Sequence, residues 1–325
     1  MSTQRLKVSE LFGPAGYWEY ETSDGVATPS FISRFGVTQG EGRYVGRRSV
    51  FLRMFGCNLK CPSFGLTHGE KTNEPQTIAQ NLHLYKKVSE LPPAKYGCDS
   101  YYSVYPEFKS LSPTIPIDVL AAQILQCGGG SFFGDRPHSP IHLIFTGGEP
   151  LLPGWQRVYV DLIAELRRQD PVWSEQTWLK LPVTFETNGT QPLVQIPDSP
   201  VRRIDAMAAS CNVTWSVSPK LTGSGHTHDE TIFPEVLRSY SELRNSEMYL
   251  KFVVANVSEL DEVDAVVRQY EDAGVKVPVY IMPEGGSPDE YRRHATLELV
   301  SESVRRGYDI SPRLHVMIGD NAMSW

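Results

Sequence analysis

Ser49-Val50-Phe51-Leu52-Arg53-Met54-Phe55-Gly56-Cys57-Asn58-Leu59-Lys60-Cys61 is the stretch that decides the fold. Its first seven residues form an apolar run of strand length, and a glycine ends it. Two cysteines with three residues between them follow, so both thiols belong to the C-terminal end of a strand. A third cysteine at position 64 would complete a triplet suited to an iron–sulfur cluster, which needs thiolates at fixed places. Position 64 is Phe64. Either the site is broken, or its third ligand comes from elsewhere in the chain.

Beyond residue 110 the chain alternates helix and strand with short polar links, the mark of parallel βα units. The spacing predicts a helix over 117–125, with Ile117, Leu120, Ala121, Ile124 and Leu125 on one face, and a buried strand over 141–145. Further helices are expected over 156–168, 234–243, 258–273 and 289–305. Further strands are expected over 182–186, 213–218, 249–255 and 277–282, with a last extended stretch over 313–317. With 49–55 this makes at least six strands. The fold class is therefore α/β, a curved partial (β/α) barrel of about six parallel strands.

Two segments fall outside the repeat. Residues 1–30 read as an irregular N-terminal arm, broken by Gly13, Gly16 and Gly25. Residues 62–96 are polar, contain Pro75, Pro92 and Pro93, and lie directly behind Cys61. Long loops of this kind in compact domains are commonly lids or binding loops.

With 325 residues the chain can bury a sizeable core, and a net charge of -7 with pI near 5.7 gives it no global basic field for nucleic acid. A small-molecule substrate is expected instead. Residues 1–20 lack an apolar leader core and no stretch holds 18 uninterrupted apolar residues, so a soluble, cytoplasmic protein without membrane contact is expected. The five cysteines, Cys57, Cys61, Cys98, Cys127 and Cys211, are too few and irregular for a disulfide framework. Cys127 and Cys211 fall on apolar helix and strand patterns and read as small core residues.

The unusual patches share a position at the ends of expected strands. Gly56-Cys57 follows the first strand, and Thr146-Gly147-Gly148-Glu149-Pro150 follows the second. Glu186-Thr187-Asn188-Gly189-Thr190 and Ser216-Val217-Ser218-Pro219-Lys220 close the next two. In parallel αβ barrels these ends line the active face, so the four patches should converge. Singly, each is weaker: the two glycines could form only a turn, or could admit a ligand closely, with Glu149 placed to accept from an ammonium. Glu186 could hold ribose hydroxyls. The alternating His226 and His228 read as a solvated loop rather than a metal site.

Cys57-x3-Cys61 with Gly147-Gly148-Glu149-Pro150 resembles the radical S-adenosylmethionine enzymes, whose usual signature spaces three cysteines by three and then two residues. Within that superfamily, Gln39-Gly40-Glu41-Gly42, Phe51-Leu52-Arg53 and Gly56-Cys57-Asn58-Leu59-Lys60-Cys61 are similar to the 7-carboxy-7-deazaguanine synthase family. Glu186-Thr187-Asn188-Gly189, Ser218-Pro219-Lys220 and Arg313-Leu314-His315 extend the likeness, which spans about residues 31 to 320. In that family the third cysteine precedes Asp-Thr, and the comparable tripeptide here is Cys98-Asp99-Ser100, with 36 residues between Cys61 and Cys98. The resemblance thus makes 62–97 an insertion in the cluster loop, within a radical S-adenosylmethionine domain over 31–325, and Cys98 the third ligand. The distance is no obstacle, since closing a loop costs only about 0.6 kcal/mol more per doubling of its length. The alternative leaves Cys98 an unrelated thiol and the cluster incomplete.

The resemblance implies a 4Fe-4S cluster on Cys57, Cys61 and Cys98, with one iron open for S-adenosylmethionine. Its reductive cleavage to a 5'-deoxyadenosyl radical would start conversion of 6-carboxy-5,6,7,8-tetrahydropterin to 7-carboxy-7-deazaguanine with loss of ammonia, for queuosine or modified DNA. Gln39, Glu41, Arg53 and His315 would contact the pterin, Arg53 pairing with its carboxylate. Asp99, Gly147, Gly148, Glu149, Glu186, Asn188, Ser218 and Lys220 would surround S-adenosylmethionine, and Ser100 would offer its hydroxyl to Mg2+. A flavodoxin- or ferredoxin-type reductant and a homodimer are the further implied partners. Two other readings stand beside this one: a glycyl-radical-enzyme activase of the same superfamily, and a zinc-stabilised binding module on Cys57, Cys61 and Cys98.

Overall fold

The computed structural model describes all residues except 1–3, 24, 25, 34–36, 68, 135, 196–202 and 320–325. Among the described residues the strands are β1 (Arg5–Gly13), β2 (Gly16–Ser23), β3 (Val26–Ser33), β4 (Ser49–Met54), β5 (Thr114–Pro116), β6 (His142–Gly147), β7 (Leu181–Thr187), β8 (Cys211–Val217), β9 (Ser246–Val254), β10 (Val279–Pro283) and β11 (Asp309–Ile310). They form one sheet in the order β11-β10-β9-β8-β7-β6-β4-β1-β2-β3, with β5 on β1. Strands β4 and β6 to β11 are parallel and follow one another in chain order. Such single winding puts successive crossovers on one side and is the pattern of a barrel left open. At the β4 edge the parallel run stops, and antiparallel β1, β2 and β3 continue the sheet.

The helices are α1 (Glu74–Ala79), α2 (Ile117–Cys127), α3 (Pro153–Gln169), α4 (Pro171–Glu175), α5 (His228–Thr231), α6 (Pro234–Ser241), α7 (Leu260–Asp272), α8 (Pro288–His294), α9 (Leu297–Arg305) and α10 (Leu314–Gly319). The expected βα alternation is present from α2 onward. Two expectations at the C-terminus change. The single helix over 289–305 is two, because Thr296 accepts the Leu299 N–H through its side chain and starts a new helix. The extended stretch over 313–317 is helical instead: the strand ends at Ile310, Pro312 follows without an N–H to give the ladder, and α10 begins.

The arm expected to be irregular is a three-stranded antiparallel meander, although residues 1–3, 24 and 25 lie outside the described residues. Gly13 and Gly16 flank the turn between β1 and β2: Gly13 pairs with Gly16, which has φ +151° and abuts the Ile32 carbonyl. The insertion is not structureless either. It holds α1 and two short 3-10 turns, and its Val88 and Leu91 bury with Tyr101, Tyr102, Val104, Tyr105, Phe108 and Leu111 in a satellite core that touches Cys57 and Cys98.

Strand alternation sorts the sheet's two faces. Phe145, Phe185 and Trp215 are register neighbours on β6, β7 and β8, fully buried and stacked at 5.0 and 5.1 Å, with Tyr240 of α6 at 4.8 Å from Trp215. Their next neighbours, Thr146, Glu186 and Ser216, therefore point away from that core. Arg53 on β4 and Lys251 on β9 share this polar face with Thr146 and Glu186, and all four line one cavity. Phe185→Ala should remove the middle ring of the stack and cost about 3 to 5 kcal/mol, as buried aromatic truncations do. Urea unfolding checks this, and a loss below about 1 kcal/mol would mean that the stack does not anchor the sheet.

Candidate active site

The strand ends open into a cavity of about 690 Å³. Its wall contains Gln39, Glu41, Arg53, Cys57, Cys61, Cys98, Asp99, Ser100, Gly147, Gly148, Glu186, Asn188, Ser218, Lys220 and His315, so nearly every sequence-derived site residue meets there. Glu149 is the exception. Its fully buried carboxylate accepts from the Leu151 N–H (2.8 Å), the Thr187 hydroxyl (2.8 Å) and the Asn188 N–H (2.8 Å), so it ties two strand ends together rather than facing an ammonium. The two glycines before it have a structural cause. A Cβ on Gly147 would strike the Met54 backbone, and one on Gly148 the backbone of Gly56, because β4 and β6 end in close contact.

Cys98 reaches Cys57 and Cys61 although an insertion intervenes. Gly97 N–H donates to the Phe64 carbonyl (2.8 Å) and Thr72 N–H to that of Pro62 (2.9 Å), closing the insertion at its base. Gly97 holds φ +80°, and Cys61 itself φ +46°. Burial pushes the Cys57 thiol up to about 12 and Cys61 up to about 11. Cys98 is also raised, by burial and then by the charge of Asp99, and it lines the same cavity as Cys57 and Cys61. Such thiols ionise only against a bound positive charge. Among the described residues no three His, Cys, Asp or Glu side chains are gathered to share one ion. Cys127 and Cys211 are fully buried in the main core, as expected.

His226 departs from the solvated-loop expectation. Its Nε2 accepts the Cys61 backbone N–H (3.1 Å), bracing the cluster loop, while His228 pairs with Glu262 at 2.7 Å. Phe64, in the place of the missing cysteine, lies under Lys220, whose Nζ is 5.9 Å from the ring centre and 3.0 Å from Ser218 Oγ.

Three site residues were missed in the sequence. Lys251 is buried between Glu41 (2.7 Å) and Glu186 (3.0 Å). Burial opposes its charge, but the two carboxylates outweigh this and raise its pKa. A lysine inside the apolar run Tyr249-Leu250-Lys251-Phe252 was the available signal. Arg313, quoted above beside His315, bonds Glu41 (3.0 Å), Asp99 (3.2 Å) and the Gly285 carbonyl (2.5 Å). Glu41 stays well below the usual carboxylate range: burial raises it, and the charges of Lys251 and Arg313 prevail. Burial holds His315 lowered, hence neutral at pH 7. Glu10 of β1, which the sequence did not mark, takes Arg53 Nε (2.7 Å) and the Tyr102 hydroxyl (2.6 Å).

The donor set does not fit a divalent ion at Ser100. Its hydroxyl accepts from Arg53 Nη1 (2.7 Å) and donates to Asp99 (3.2 Å), and Asp99, Glu10, Glu41 and Glu186 are each bonded to a cationic side chain. An ion on Ser100 Oγ would face a guanidinium across one shared oxygen.

No protein-family model matches the chain. A curated 7-carboxy-7-deazaguanine synthase of Halobacterium salinarum is 25% identical over 305 residues, covering 92% of this chain and 93% of its own. One of Pyrobaculum aerophilum is 28% identical over 302 residues, covering 91% and 98%. The chain is similar to curated 7-carboxy-7-deazaguanine synthases over about nine tenths of its length. A solved structure of QueE from Escherichia coli spans 96% of the chain and 95% of its own, but at 18% identity and a TM-score of 0.46 it carries no weight beside these synthases. No helix among the described residues is long and apolar enough to cross a membrane.

Burial raises Glu149 to about 7, against the lowering by its three donors. A carboxyl whose folded pKa is raised binds protons better folded than unfolded between pH 4.5 and 7, so it loses stability as pH rises through that window. The stability difference between wild type and Glu149→Gln should move by about 3 kcal/mol in the variant's favour from pH 4.5 to 7.5. Denaturation at several pH values reads this, and parallel curves would refute the shift.

Proposed function

We propose that the chain is a radical S-adenosylmethionine carbon–nitrogen lyase that converts 6-carboxy-5,6,7,8-tetrahydropterin to 7-carboxy-7-deazaguanine with loss of ammonia. The observation that carries this is the convergence of three thiols and a pterin-sized polar set on one cavity. The relatives, which span about nine tenths of the chain, bear the same enzyme name. A peptide substrate, as for a glycyl-radical activase, leaves the buried set of Gln39, Glu41, Glu186 and His315 without a use.

In this reading Cys57, Cys61 and Cys98 hold a 4Fe-4S cluster, which when bound supplies the electron that cleaves S-adenosylmethionine. Lys220 lowers the Cys57 and Cys61 thiols by its charge, so it lies where a carboxylate beside the cluster would meet it. Asn188 bonds Asn58 (3.1 Å), keeping the cluster loop against the β7 end, and Ser218 orients Lys220. Glu41, held ionised by Lys251 and Arg313, would accept the amino and ring N–H groups of a pterin, while Glu186 pairs with the same Lys251 (3.0 Å) on the cofactor side. Gln39 donates to Glu186 (2.9 Å) and joins the pterin side to the cofactor side. His315, neutral, fills the space that the lack of a side chain at Gly40 leaves beside it.

Pro92 to Gly97 of the insertion form part of the wall, and Gly65 N–H donates to Glu284 (2.8 Å) across the mouth. Such covering keeps water from a reactive species. Mg2+ is left out of the assignment because Ser100 is taken. The catalytic domain is 31–325, the reductant a flavodoxin or ferredoxin, the compartment the cytoplasm and the assembly a homodimer. Each of these belongs to the proposal.

Anaerobic incubation with the tetrahydropterin, S-adenosylmethionine and a reductant should yield 7-carboxy-7-deazaguanine by mass. Cys98→Ala should lose its iron and sulfide on reconstitution while Cys127→Ala keeps both. Unchanged cluster content in the Cys98 variant would sink the ligand assignment.

A further inference from the structure

We infer that the Arg53 guanidinium, fixed between Glu10 and Ser100, is the resident cation for the substrate carboxylate and that turnover here needs no divalent ion. The inference rests on the synthase reading above. Arg53 spends Nε on Glu10 (2.7 Å) and Nη1 on Ser100 Oγ (2.7 Å) and the Gly147 carbonyl (3.3 Å). A planar guanidinium held at these two nitrogens cannot turn, so its third nitrogen has one fixed direction. Among the described residues Nη2 has no acceptor, and Arg53 lines the cavity.

The same bonds close the place to a metal. A small hard dication requires several oxygens in near-octahedral array. Here the Ser100 hydroxyl joins Arg53 to Asp99, and Asp99 bonds Arg313 at 3.2 Å. Glu10 holds both Arg53 and the Tyr102 hydroxyl. Freeing Ser100 for an ion would break its bond to Arg53 and bring two positive groups together. Serine keeps the hydroxyl that the family's threonine offers, but its neighbour is a guanidinium anchored by an arm residue. Glu10 is thereby a positioning residue: it acts on the substrate through Arg53.

The test uses reconstituted wild-type protein passed over chelating resin, assayed with and without added Mg2+. Equal rates within about twofold are expected, and product formed only with Mg2+ overturns the inference. In parallel, Mn2+ is titrated into the protein with the tetrahydropterin present and followed by its paramagnetic resonance. No tight Mn2+ is expected, and one bound ion per chain that disappears in Ser100→Ala overturns the inference without reference to activity. No product in either assay counts against the synthase reading, and the Mn2+ titration still decides the ion. Arg53→Gln, with its cluster content intact, should raise KM for the pterin by about 10- to 100-fold, the loss of a charged hydrogen bond, and leave KM for S-adenosylmethionine unchanged. Unaltered pterin KM contradicts the role given to Arg53.

Discussion

The buried ammonium of Lys251 is the constraint on which the rest of the site depends. It comes from the middle of β9 and touches Glu41, from the loop after the N-terminal strands, and Glu186, from the end of β7. Arg313, far along the chain, extends the network by holding Glu41 and Asp99. Taking charges out of water is costly, and the mutual attraction repays it only when every partner is present. Five distant segments are therefore held in one arrangement, because losing Lys251 or either of its carboxylates strands a charge in low dielectric. The network fixes geometry more than it adds stability, since a packed apolar core would hold the sheet as well.

The same logic explains how a displaced cysteine can serve a fixed site. What a cluster requires is the position of a sulfur, and the chain between two sulfurs is free to be long if its ends meet. Here the ends meet through Gly97 and Phe64, with left-handed backbone at Cys61 and Gly97. The satellite core then stiffens the loop from within, and His226 holds Cys61 from outside. Phe64 has a role of its own: it latches the loop by its carbonyl and carries Lys220 on its ring.

Legibility in the sequence followed the range of the interactions. The βα repeat was readable because apolar periodicity is local, and the site residues at strand ends were readable because those positions converge in any such sheet. Glu149 was placed in the right neighbourhood and given the wrong partner, since only the folded chain shows Leu151, Thr187 and Asn188 around it. The arm read as irregular because its glycines were taken for breaks, whereas Gly13 and Gly16 flank the turn of a hairpin that pairs with β4, elsewhere in the chain. Lys251 was visible as a charge in an apolar strand. Glu10 was not, because an acid in a strand of the arm is ordinary until Arg53 is found beside it.

The two segments outside the repeat turn out to lean on each other. Lys87 of the insertion pairs with Glu19 of β2 at 2.8 Å, Ser89 donates to the same carboxylate (2.6 Å), and Thr22 N–H donates to the Lys86 carbonyl (2.8 Å). Ion pairs at a surface contribute little singly. The backbone bond and the shared carboxylate, however, fix the insertion to a strand that is already paired on both sides, in a continuous sheet with β4. The path from β4 to Cys57 and the path through the insertion to Cys98 thus end on the same rigid body. A repeat that supplies one wall of a cavity needs a second wall, and here the arm and the insertion build it together.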